Sequence, residues 1–167
     1  MNLIKPIVVV ASLTASVSPA FSQTAEETVS FILYGLEDGR KIVQGGTVVA
    51  TVEQTSSSPA TYLVSPSGQL ELDQATVRKL ENCQFEVIVH SSPAKERKAI
   101  YDFSKVGDIT FTLGNGLLSF AGKCAIKGSD GSCNSTALIS AEMTAPENRV
   151  RKAIKFLKAN YCAGSAY

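Results

Sequence analysis

The chain carries 16 Lys and Arg against 15 Asp and Glu over 167 residues, a formal net charge of +1. That balance excludes the basic excess with which nucleic-acid binders neutralise phosphates. A hydrophobic share of 44% together with four cysteines excludes a disordered, highly charged chain and leaves ample material for a packed core.

Met1, Asn2 and Lys5 form a short positive start, Ile7 to Val17 an apolar run, and Pro19-Ala20-Phe21-Ser22 a polar-to-small exit. Ala20 and Ser22 are the small residues a signal peptidase requires, so residues 1–22 are predicted to be a cleavable export signal and Gln23 the first mature residue. The apolar run is about half of the roughly 20 residues a spanning helix needs. Residues 23–167 are therefore expected to form a single α+β domain, periplasmic or secreted, with no transmembrane segment after signal removal. Export also places the cysteines where they can pair.

Thr24 and Glu27 have the spacing of a capping box, in which each side chain satisfies a backbone N–H at a helix start. Val29, Ile32, Leu33 and Leu36 follow at helical spacing, with Phe31 and Tyr34 widening the stripe and Glu37-Asp38-Gly39 as the stop. From Gly46 to Met143 the period is two. Val48, Ala50 and Val52 alternate, Tyr62 and Val64 precede a Pro66-Ser67-Gly68 turn, and Leu70 and Leu72 follow. Residues 73–80 read as a short helical turn capped by Asp73. Phe85, Val87 and Val89 share a strand face, and Tyr101 and Phe103 come after a charged hairpin around Ser92-Pro93-Ala94-Lys95. Ile109, Phe111 and Leu113 lead into Asn115-Gly116, a short-hairpin signal. Leu118, Phe120, Cys124 and Ile126 read as one alternating segment, and Ala137, Ile139, Ala141 and Met143 as the last strand.

A second helix begins at Thr144-Ala145-Pro146-Glu147, another capping-box pattern with an early proline. Val150, Ile154, Leu157 and Tyr161 line one side, and Cys162-Ala163-Gly164 closes it. The expected architecture is an antiparallel meander of about six to seven strands, with an N-terminal and a C-terminal helix covering one face. Acids outnumber bases over 23–90 and bases outnumber acids over 91–167, an asymmetry that interleaving on folding explains.

Four cysteines allow three pairings. A two-residue turn at Gly128-Ser129 would set Cys124 opposite Cys133, leaving Cys83 to bond Cys162. No C-x-x-C occurs and the spacings match no common zinc pattern, so no metal or other cofactor is expected. His90 is the only histidine, read as solvent-facing; Ser91 beside it points to the other strand face. Glu71 with Asp73 and Asp102 with Asp108 are the carboxylate pairs a hydrolase would need, and nothing draws either pair together. Arg151, Lys152, Lys155 and Lys158 form a basic helix face, read either as a solvated back or as a partner face. Asn134-Ser135-Thr136 is a glycosylation sequon that has meaning only in a eukaryotic source.

Residues 25–31 (Ala-Glu-Glu-Thr-Val-Ser-Phe), Gly35-Leu36-Glu37-Asp38-Gly39, the Tyr101-Asp102-Phe103-Ser104 strand and the basic helix ending in Tyr161-Cys162 resemble small uncharacterised secreted proteins of proteobacteria. The resemblance implies a periplasmic setting and carries over no catalytic residue. The expected function is a disulfide-stapled, non-catalytic binding or accessory protein of the bacterial cell envelope. A carrier of a small apolar ligand, with a pocket lined by Phe85, Phe111 and Phe120, is the alternative; a hydrolase using His90 or paired carboxylates is a third.

Overall fold

A computed structural model describes residues 23–66, 72–91, 96–112, 115–139 and 145–162. The predicted signal, the Ser67-Gly68 turn with Leu70, the charged hairpin at 92–95, and Ala141, Met143 and Thr144 lie outside the described residues. The architecture is α+β, with helix α1 (Ala25–Tyr34) near one end and helix α2 (Glu147–Tyr161) near the other. Between them run β1 (Lys41–Gln44), β2 (Thr47–Ser57), β3 (Ala60–Ser65), β4 (Gln74–Glu81), β5 (Gln84–His90), β6 (Arg97–Asp102), β7 (Val106–Thr112), β8 (Asn115–Phe120), β9 (Ile126–Gly128), β10 (Cys133–Asn134) and β11 (Thr136–Ile139).

The strands form two antiparallel sheets where one of six to seven strands was expected. The larger has eight strands in the order β1-β2-β3-β4-β5-β6-β9-β10, and the smaller has three in the order β11-β8-β7. The split falls inside the segment that reads as one alternating strand from Leu118 to Ile126. Gly122 and Cys124 both adopt positive φ (108° and 60°), which breaks the strand, and the chain crosses to the edge of the larger sheet at β6. Leu118, Phe120 and Ile126 keep even spacing across the break and are all buried, so their pattern conceals it.

Helix α1 opens as its sequence predicts. Thr24 Oγ1 accepts from Glu27 N–H at 3.1 Å and Thr24 N–H donates to Glu27 Oε2 at 2.8 Å, completing the capping box. It ends earlier than Glu37-Asp38-Gly39: Gly35 takes a left-handed conformation (φ 62°) and returns its N–H to Phe31 O. Val29, Ile32, Leu33 and Leu36 are all buried, Leu36 from just beyond the helix. Burial pushes the Tyr34 phenol up, as it does the Tyr101 phenol.

The turn of helix expected over 73–80 is strand β4. Asp73 mimics an N-cap, and Gln74, Ala75, Arg78, Lys79 and Leu80 are ordinary helix formers. Pairing on both flanks overrides that preference: Ala75 lies opposite Tyr62 and Val89, and Val77 opposite Ala60 and Val87. Ala75 and Val77 thereby point into the core and are fully buried. The β7–β8 hairpin also turns earlier than Asn115-Gly116, because Thr112 pairs with Asn115 and both Asn115 and Gly116 belong to the strand. Strand β1, unread in the sequence, joins β2 through Gly45-Gly46, both at positive φ. Ala50 and Val52 are buried, whereas Val48 stands opposite Val43 at the free end of this hairpin and is 51% exposed.

Helix α2 starts after Pro146, whose backbone is non-helical and which makes no side-chain cap bond, in place of the expected Thr144 cap. Val150, Ile154 and Leu157 are buried against the rest of the core. Helix α1 lies against both α2 and β4. Residues of both sheets and both helices share one buried cluster. At its centre Phe103, which opens a short 3-10 turn after β6, meets Phe85 edge-on at 5.8 Å and Phe120 at 5.6 Å.

Candidate functional site

The sulfurs are joined Cys83 to Cys162 and Cys124 to Cys133, with Cα separations of 4.8 and 4.4 Å. The hairpin register behind the second bond differs from the one expected. Cys133 lies opposite Lys127 and Asn134 opposite Ile126, so the bend falls at 129–132 and not at Gly128-Ser129. Gly131 supplies the positive φ there (83°), and Asp130 Oδ1 accepts from Ser132 N–H at 2.9 Å. Hydrogen bonds from the Ser132 hydroxyl and N–H hold the Asp130 carboxyl below its ordinary range. Cys124 reaches Cys133 from the left-handed turn before β9, outside the ladder.

The two disulfides differ in environment. Cys83 and Cys162 are 0% and 7% exposed, whereas Cys133 faces solvent. Thiol–disulfide exchange needs access to a sulfur. Mild phosphine treatment followed by alkylation and peptide mass spectrometry is therefore expected to label Cys124 and Cys133 while Cys83 and Cys162 stay bonded.

The basic face of α2 divides into two sets. Arg151 donates to Glu147 Oε1 at 2.7 Å and to the Ile109 carbonyl at 2.8 Å, and Lys158 donates to the Val106 carbonyl at 2.6 Å. Both carbonyls belong to β7, an edge strand of the smaller sheet. These two cations thus satisfy edge backbone groups. Lys152 and Lys155 make no ion pair or hydrogen bond with the described residues and lie exposed.

A groove of about 240 Å³ runs along α2 beside α1, lined by Gln23, Phe31, Glu37, Arg149, Lys152, Ala153 and Phe156. Arg149, Lys152, Ala153 and Phe156 follow i, i+3, i+4, i+7 spacing, a second stripe on α2 beside the buried one. The guanidinium of Arg149 stacks on the Phe31 ring at 4.8 Å and forks onto the Glu37 carboxylate, with Nη1 to Oε2 at 3.1 Å and a second, shorter contact from Nη2. Phe156 is 41% exposed and meets Tyr161 edge-on at 5.8 Å. The Tyr161 hydroxyl donates to the Gln23 carbonyl at 2.7 Å, fixing the start of the described chain at the rim of the groove.

Sequence pattern alone gives Arg149, Glu37 and Phe156 no role at this place. Phe156 carries one local signal, an aromatic residue off the Val150–Ile154–Leu157 stripe and between lysines. The Glu37–Arg149 fork spans 112 residues of sequence and leaves no local trace.

The other predicted positions are dispersed. His90 closes β5 with its side chain 43% exposed, and its Nε2 lies 3.7 Å from Glu96 Oε2. Asp102 bonds the Ser104 hydroxyl at 2.5 Å and pairs with Lys105 at 3.0 Å. Partial burial opposes its ionisation, yet the hydrogen bonds from Ser104 and the Lys105 charge together hold its carboxyl below the ordinary range. Asp108 is exposed on β7, and Glu71 lies outside the described residues. Among the described residues no group of three or more His, Cys, Asp and Glu side chains could hold a metal ion. Phe85 and Phe120, expected to line a carrier pocket, instead pack through Phe103 and Tyr101, with ring centroids 5.6–6.2 Å apart. Phe111 lies in β7. No described helix is long and apolar enough to cross a membrane.

Comparison with protein-family models, curated proteins and solved structures finds no match.

Proposed function

We propose that the chain is an exported, non-catalytic binding or accessory protein of the bacterial cell envelope, cut near Ser22 and acting as residues 23–167. The observation that carries this reading is the seating of α2. Cys83–Cys162 fastens its end to the β4–β5 turn, the Glu37–Arg149 fork fastens its first turns to the segment after α1, and Arg151 and Lys158 fasten its flank to β7. A helix fixed on these sides still presents Lys152, Lys155 and Phe156 outward. Pre-organisation of this kind lowers the ordering cost of association, which is what a docking element needs. Two disulfides support an oxidising compartment.

The test expresses the full sequence, with its own first residues, in a proteobacterial host. The expected product is periplasmic or secreted, begins at Gln23 by intact mass, and holds no free thiol. It should also capture one envelope protein reproducibly on cross-linking. Recovery of the uncut chain from the cytosol with reduced cysteines would refute the reading.

A further inference from the structure

We infer that the groove between α1 and α2 receives an acidic segment of a partner protein, one apolar side chain entering beside Phe31 and Phe156 while flanking carboxylates meet Lys152 and Lys155. This rests on the binding role proposed above and names the chemistry of its partner.

Size decides against a free small molecule. Cofactor and ligand pockets commonly enclose about 300–1,000 Å³ and bury most of the ligand. A groove of about 240 Å³ open along one side falls below that range and suits a single anchoring side chain. Its floor is apolar and aromatic: Phe31 is buried under the Arg149 guanidinium, Ala153 is half-buried, and Phe156 leaves 41% of its surface to solvent. An exposed aromatic beside a preformed groove is the arrangement found at the energetic centre of protein interfaces.

Charge sets the sign of the partner. Five cations project from α2 between Arg149 and Lys158, and three already have partners: Arg149 on Glu37, Arg151 on Glu147 and Ile109, Lys158 on Val106. The two without a partner among the described residues, Lys152 and Lys155, both flank Phe156, one a turn before it and one adjacent. Glu37, the acid of the groove, is held by Arg149 and does not neutralise them. Carboxylates set either side of an apolar side chain complete both lysines without displacing any existing bond. Two lysines are too few to hold an anionic membrane surface, to which each basic residue contributes only about 1 kcal/mol.

The test titrates the disulfide-bonded protein into a fluorescein-labelled Asp-Asp-Phe-Asp-Asp peptide and reads anisotropy. Asn-Asn-Phe-Asn-Asn and Asp-Asp-Ala-Asp-Asp serve as comparison peptides. The acidic aromatic peptide is expected to bind best. Lys152→Glu/Lys155→Glu should weaken it about tenfold, and Phe156→Ala about fivefold. Lys152→Gln/Lys155→Gln should give an intermediate loss, and Lys127→Glu on β9 should give none. All of these positions are exposed, so circular dichroism should show each variant folded. Equal binding of the three peptides, or no loss in the lysine variants, overturns the inference. Lysine-dependent binding to phosphatidylglycerol vesicles without binding to the peptide overturns it as well. An envelope partner captured equally by the native protein and by Lys152→Glu/Lys155→Glu also overturns it, while leaving the exported binding role intact.

Discussion

Replacing Cys83 and Cys162 together by alanine is expected to lower the free energy of unfolding by about 4 kcal/mol, measured by urea titration. The bond spans a sequence separation of 79 residues. On the loop-entropy model a closure of that length restricts the unfolded chain by about 4.5 kcal/mol, against about 2.7 for the short Cys124–Cys133 loop. Cys83 holds a left-handed backbone (φ 62°) in the β4–β5 turn, a strain that alanine keeps because both side chains begin with a Cβ. A Cys83→Gly/Cys162→Ala protein separates the two contributions, since glycine accepts that conformation without strain. A loss below about 1 kcal/mol in both proteins would show that α2 is held by packing alone.

Phe103→Ala is expected to cost about 3–5 kcal/mol in the same measurement, the range for a buried aromatic reduced to a methyl group. Its ring is fully buried and links the two sheets. Phe85 on β5 and Tyr101 on β6 belong to the larger sheet, and Phe120 on β8 belongs to the smaller. Truncation leaves these rings without their common neighbour and abolishes the edge-to-face packing at 5.8 and 5.6 Å. Leucine at the same position should recover much of the loss because it refills most of the volume. A cost near that of a surface substitution would mean that the sheets do not meet through this cluster.

What was legible in the sequence tracks how local the determining physics is. The start of α1 is written in two residues three apart, and both hydrogen bonds of its capping box form. The buried stripe of α2 and the inward faces of β3 and β5 follow from period alone. Strand β4 was not legible, because its residues favour a helix and only its two neighbours make it a strand. The division into two sheets was hidden by a bend that preserves the parity of buried positions. The groove was least legible of all. Its floor comes from α1, its wall from α2, and its one ion pair joins residues more than a hundred positions apart. The cations of α2 looked alike in sequence, and only the carbonyls of β7 distinguish Arg151 and Lys158 from Lys152 and Lys155.

The grip of α2 on β7 bears on how copies of this protein meet one another. An open strand margin is a template onto which any extended chain can add. Here the β7 margin of the smaller sheet is blocked by a guanidinium and an ammonium. The larger sheet offers only four residues at one extreme and two at the other. Along β7, a second copy therefore meets side-chain chemistry in place of open backbone.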